Sequence, residues 1–248
     1  MISSASPMPT EHEPVDKVSI AACISVPRIG WNDSWGCIHD ALQPFGIPLR
    51  RVSGAYWEQG IQTVFESCVD QGLDWLLSLD YDAIFTPDQL NRLMRDFNSA
   101  TDADAMGALQ VRRSTSGTDS ACALASVAGE SKRQVSPNVP ICVDTLHFGM
   151  TLIRCSALMK MPKPWFWAQP GPDGTWTHPE HVDADMTFWH RWKRAGNTVY
   201  LHPGIRIGHL EMRVSQFDDE LNPSEITMSG WRSEHAFGSE TSIRQEPA

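Results

Sequence analysis

Two acids, Asp80 and Asp82, stand one residue apart at the end of the apolar run Asp74-Trp75-Leu76-Leu77-Ser78-Leu79. That run is short enough for a buried strand, and open α/β sheets bind ligands at the carboxyl ends of such strands. Strict alternation would turn both carboxylates to one side, where they can share a cation that also holds a diphosphate. Metal-nucleotide chemistry is one reading; a pair of solvated turn residues is the other for Asp-x-Asp taken alone. A second stretch, 162–181, is dense in Pro, Trp and Gly. It suits packing on a sugar or base, or equally an irregular loop anchored by buried aromatics.

The elements that must carry these residues alternate. A β-branched run at 18–26 reads as a strand stopped by Pro27, and the loop beyond it, through Arg28, Gly30 and Asp33, faces a ligand. A helix at 35–45 and a strand at 48–52 follow. Ile61, Val64, Phe65 and Cys68 then make one helical face, ended by Gly72 as a left-handed cap. After the acids, Thr86-Pro87-Asp88-Gln89 is a capping box that starts a helix with Leu90, Leu93, Met94 and Phe97 on its apolar face. A strand at 105–111, a long loop at 112–138, a strand at 148–154, a helix at 183–195 ended by Gly196, and short strands at 198–201 and 205–207 complete the order. Such alternation predicts an α/β fold, a mostly parallel sheet with helices on both faces.

With 248 residues and 41% hydrophobic content, the chain is expected to form one domain at 17–215, after a disordered leader at 1–16 and before a polar tail at 216–248. No apolar run approaches the ~20 residues of a membrane span, and the polar start has no signal-peptide core, so a cytoplasmic location without membrane attachment is expected. The six cysteines form no Cys-x-x-Cys pair and suit reduced core thiols. A net charge of -10 argues against unspecific attraction to nucleic acid, leaving only a local basic groove for that role. His178, His181, His190 and His202 fit no zinc spacing.

The series Leu79-Asp80-Tyr81-Asp82, His147-Phe148-Gly149, Asp183-Ala184-Asp185-Met186-Thr187-Phe188-Trp189 and Gly208-His209-Leu210 resembles the GT-A glycosyltransferases of the family-two type, among them the small enzymes of bacterial or bacteriophage genomes. The resemblance spans roughly residues 18–210. It implies a Rossmann-like GT-A domain in which Asp80, Asp82 and His209 hold Mn2+ or Mg2+. It also implies that Pro27, Arg28, Asp80 and Gly149 contact a nucleotide-sugar donor, a UDP-sugar first among them, and that Asp185 is the catalytic base. The family's Glu-Asp pair is here Ala184-Asp185, so Asp183 is the alternative; both can serve one site only if the helix starts between them. His147, where a glycine is usual, is either an acceptor contact or a packed loop residue.

The chemistry agrees with that resemblance. A divalent cation neutralises a departing diphosphate, one imidazole among oxygen ligands tilts the choice to manganese, and a carboxylate can take the acceptor proton in a single inverting displacement. Two acceptors stay open: a glycan, or a hydroxymethylpyrimidine base in phage DNA. The DNA reading needs a flipped base stacked on Trp165, Phe166, Trp167 or Trp176, and phosphate contacts from Arg112, Arg113, Lys132, Arg133, Arg191, Lys193 and Arg194. Two other classes compete: a non-catalytic nucleotide- or sugar-binding module, and a haloacid dehalogenase-type phosphatase, whose acid pair follows the first strand.

Overall fold

The computed structural model describes residues 18–27, 30–110, 125–126, 138–217, 220 and 222–228. Arg28, the leader at 1–16, nearly all of the loop at 112–138, and most of the expected tail lie outside them. In chain order the elements are β1 Ile20–Val26, α1 Asn32–Leu42, β2 Leu49–Ser53, α2 Trp57–Asp70, β3 Trp75–Leu79, β4 Ala83–Ile84, α3 Pro87–Ser99 and β5 Ala105–Gln110. There follow β6 Ala125–Ser126, β7 Ile141–Cys142, β8 Thr145–Leu146, β9 Met150–Arg154, α4 Cys155–Leu158, α5 Ala184–Arg194, β10 Val199–His209, β11 Arg213–Phe217 and β12 Pro223–Thr227.

The main sheet runs β2-β1-β3-β9-β5-β10-β4. β1 pairs in parallel with β2 and β3, and β5 with β10, while β9 lies antiparallel between β3 and β5. Alternation along the strands feeds two cores. Ala21, Cys23 and Leu76 join Ile61, Phe65, Phe188 and Trp189 on the α2/α5 face. Ala22, Ile24, Trp75, Leu77 and Leu79 join Ile38, Leu90, Leu93 and Phe97 on the α1/α3 face. Burying both faces is what demands helices on each side.

Local chemistry then fixes the ends. Thr86 and Gln89 make the reciprocal cap of α3, with the Thr86 amide donating to Gln89 (2.8 Å) and the Gln89 amide donating to Thr86 (3.3 Å). Gly72, at φ +69°, takes the left-handed conformation just past α2. α5 begins at Ala184 with Asp183 as its N-cap, so its start does fall between Asp183 and Asp185.

Two expectations need correction. The strands expected at 198–201 and 205–207 are one strand, β10, because the Pro203-Gly204 interruption is a bulge and not a break. His202, fully buried, clamps that bulge: its Nδ1 accepts from the Gly204 amide (3.2 Å) and its Nε2 donates to Asp96 (2.9 Å). Where a polar tail was expected, β11 and β12 pair as an antiparallel ribbon.

Candidate active site

The site forms where β3 ends. Asp80, Tyr81 and Asp82 lie in a turn closed by the Ala83 amide donating to the Asp80 carbonyl (3.2 Å), so a turn and not strand alternation orients the two acids. β4 then carries the chain back against the end of β10, with His209 opposite Ala83 and Gly208 opposite Ile84. α1 grips this return through Ser34, whose hydroxyl donates to the Ala83 carbonyl (3.0 Å). The Leu210 amide donates to the Asp82 carbonyl (2.8 Å). Two segments far apart in sequence are thereby locked side by side.

The consequence is a buried carboxylate–imidazole pair. Nε2 of His209 lies 3.3 Å from Oδ2 of Asp82, with the side chains 10% and 3% exposed. Adjacent ligand atoms on an octahedral cation, each about 2.1 Å from it, are about 3 Å apart, so this pair fits one divalent ion. Among the described residues no group of three or more His, Cys, Asp or Glu side chains gathers as a metal site. The expected set of Asp80, Asp82 and His209 is therefore a close pair, with half-buried Asp80 at the start of the turn. Among the described residues, Asp82 and His209 are the two side chains this close together here, which leaves the remaining positions around a cation for other ligands.

Beneath the pair lies the His147–Gly149 loop. The His147 Nε2–H donates to the Ala108 carbonyl (2.6 Å), and its Nδ1 accepts from the Gly149 amide (2.9 Å). Both ring nitrogens are consumed inside the protein, so His147 is the packed loop residue and not an acceptor contact. Gly149 is buried, and its carbonyl accepts from the Asp80 amide (3.4 Å). A Cβ there would meet the Gln110 amide oxygen at 2.5 Å and His147 Nδ1 at 2.9 Å, which is why glycine stands at this position. Pro27 is exposed just past β1.

Burial pushes the His147 imidazole down from 6.5 to about 4, and protonating Nδ1 would also set an N–H against the Gly149 amide. Because the unfolded chain takes up this proton near 6.5 and the folded chain only near 4, the stabilisation is complete above pH 6.5 and is lost as pH falls toward 4. The loss from this one group is about 3 kcal/mol at one pH unit per 1.36 kcal/mol. Thermal melts from pH 7 to pH 4 should show this contribution in the wild type and not in His147→Gln; equal slopes would contradict it.

α5 is docked onto the same loop. Phe148, next to Gly149, packs against Phe188 (5.1 Å) and stacks on Trp189 (5.2 Å). The first turn of α5 presents Asp185, half-buried, with its Oδ1 accepting from the Met186 amide (2.7 Å). Asp183 is mostly exposed, 3.9 Å from His181. Of the aromatic stretch, Trp165 and Phe166 are core residues, 1% and 3% exposed, so they cannot be stacking faces as expected; Trp167 and Trp176 are 55% and 56% exposed. Phe166 packs on Phe188 (4.7 Å) and on Trp57 (5.4 Å), whose neighbour Tyr56 is 62% exposed. Sequence reasoning passed over Tyr56 and Gln110.

Sheet order, the antiparallel β9 and the acid turn after β3 define a GT-A fold of the α/β class. Two solved structures share it. The crystal structure of A197 from STIV has a TM-score of 0.55 and 15% identity, covering 84% of this chain and 93% of that one. The crystal structure of GalNAc-T7 with UDP, GalNAc and Mn2+ has a TM-score of 0.52 and 11% identity, covering 83% of this chain and 47% of that one. This chain thus matches about half of the GalNAc-T7 chain. No protein-family model and no curated protein sequence matches it. Among the described residues no helix is long and apolar enough to cross a membrane.

Proposed function

We propose that this chain is a metal-dependent glycosyltransferase that moves a sugar from a nucleotide-diphosphate donor to an acceptor hydroxyl with inversion. The observation that carries the reading is the buried Asp82–His209 pair, 3.3 Å apart at the carboxyl edge of a GT-A sheet. Asp82 and His209 would hold the cation, Mn2+ before Mg2+ given the imidazole ligand, and Asp80 and the Gly149 loop would border the donor. When bound, the cation neutralises the charge that develops on the departing diphosphate. Asp185 takes the proton of the acceptor hydroxyl as its oxygen bonds to the anomeric carbon; the bond from that carbon to the diphosphate breaks, and the nucleoside diphosphate leaves. The Met186 amide orients the Asp185 carboxylate for this role. A phosphatase with its acid pair after the first strand does not fit, because the pair here follows β3.

The acceptor is a saccharide. Tyr56 and Trp167 emerge exposed beside the aromatic packing that seats α5, and such faces suit sugar rings. The cations proposed for DNA phosphates are committed elsewhere in two cases: in the last turn of α5, Arg191 donates to the Pro164 carbonyl and Lys193 pairs with Asp144. Arg112, Arg113, Lys132 and Arg133 lie outside the described residues.

The test is incubation with Mn2+ and a panel of nucleotide sugars, with oligosaccharides in one arm and hydroxymethylcytosine or hydroxymethyluracil duplexes in the other, read by mass spectrometry. A glycosylated saccharide is expected. A glycosylated nucleoside would reassign the acceptor to DNA, and tight nucleotide binding with no donor consumed would leave a binding module.

A further inference from the structure

We infer that Gln110 is a positioning residue for the cation-binding pair, an inference that rests on reading Asp82 and His209 as the ligands. Gln110 ends β5 and is 1% exposed, the one polar side chain of an otherwise apolar strand. Its Nε2 donates to the Gly208 carbonyl at 3.4 Å, a long bond to the residue that precedes His209. Its Oε1 presses on Gly149, 2.5 Å from where a Cβ would stand. The Gly149 carbonyl in turn accepts from the Asp80 amide (3.4 Å). The Gln110 amide thus sits between the segment that carries the imidazole and the Gly149 loop, whose carbonyl in turn holds the Asp80 amide.

The wedge comes at an energetic cost. Oε1 is buried with no hydrogen-bond partner among the described residues, and an unpaired buried amide oxygen destabilises a fold, whereas an apolar side chain of the same length would fill the space without that penalty. Sites that break such a rule without a stability gain are where function is expected to compensate. Here the compensation is a fixed Gly208 carbonyl, hence a fixed backbone for His209. Contacts one layer behind a metal ligand typically change metal affinity by about 10- to 100-fold.

The decisive variant is Gln110→Met, which keeps length and volume while removing both the donor and the orphaned acceptor. Mn2+ binding is measured by electron paramagnetic resonance with UDP or GDP present, alongside thermal melting. The expected result is Mn2+ affinity about 10- to 100-fold weaker than wild type, with a melting temperature equal or higher. If Gln110→Met melts lower, Gln110→Leu decides. Unchanged Mn2+ affinity, or a lowered melting temperature in both variants, would make Gln110 a packing residue and overturn the inference. No Mn2+ bound by the wild type would instead remove the cation reading itself, so the two failures are told apart.

Discussion

Asp82→Asn is expected to abolish Mn2+-dependent donor binding and lower turnover by at least about 10³-fold, since losing a carboxylate ligand forfeits several kcal/mol of charge stabilisation at 1.36 kcal/mol per tenfold. The fold should survive. Asparagine keeps the shape of a side chain that is only 3% exposed while removing its charge. Steady-state kinetics with melting curves decides the matter: wild-type turnover in the variant, or in the wild type after chelation, would contradict the assignment. A collapse of the melting temperature would make Asp82 a structural residue.

Asp185→Asn should lower turnover by about 10²- to 10⁴-fold with donor affinity nearly intact, the signature of losing a proton acceptor that acts in the transition state. Asp183→Asn should change turnover less than about threefold, because exposed polar substitutions without a special role have small effects. The contrast follows from α5. Asp185 sits in the first turn, half-buried and held by the Met186 amide, while Asp183 stands at the N-cap position without a capping side-chain hydrogen bond, its side chain 72% exposed. Measuring kcat and KM for both variants separates them; the larger loss in Asp183→Asn would transfer the base to that residue.

Features set by neighbours in the chain were legible from the sequence. Thr86 and Gln89 announce their cap, Gly72 its left-handed turn, and the apolar spacing of α2 and α3 their buried faces. The α5 start was legible to within one residue for the same reason, whereas strand alternation was expected where Asp80–Asp82 form a turn. What the sequence hid depends on distant pairing. Nothing in the residues of β9 says that it inserts antiparallel between β3 and β5, or that Ala83-Ile84 will pair with Gly208-His209 and so bring His209 to Asp82. Trp165 and Trp167 look alike in sequence, yet one is core and the other rim, because burial is decided by what packs from α2 and α5. Gln110 drew no notice because an amide after an apolar run carries no motif; its meaning lies in Gly149 and Gly208, which only the fold brings to it.

Among the described residues Asp82 and His209 offer a cation two close ligands, so cation and diphosphate are expected to bind together. Isothermal titration of UDP and GDP into the chain, with and without Mn2+, tests this most directly. Mn2+ is expected to strengthen binding of one of these nucleotides by at least about tenfold, or 1.4 kcal/mol of coupling, in the wild type and not in Asp82→Asn. Nucleotide binding that is equally tight with and without Mn2+, or no nucleotide binding at all, would contradict it.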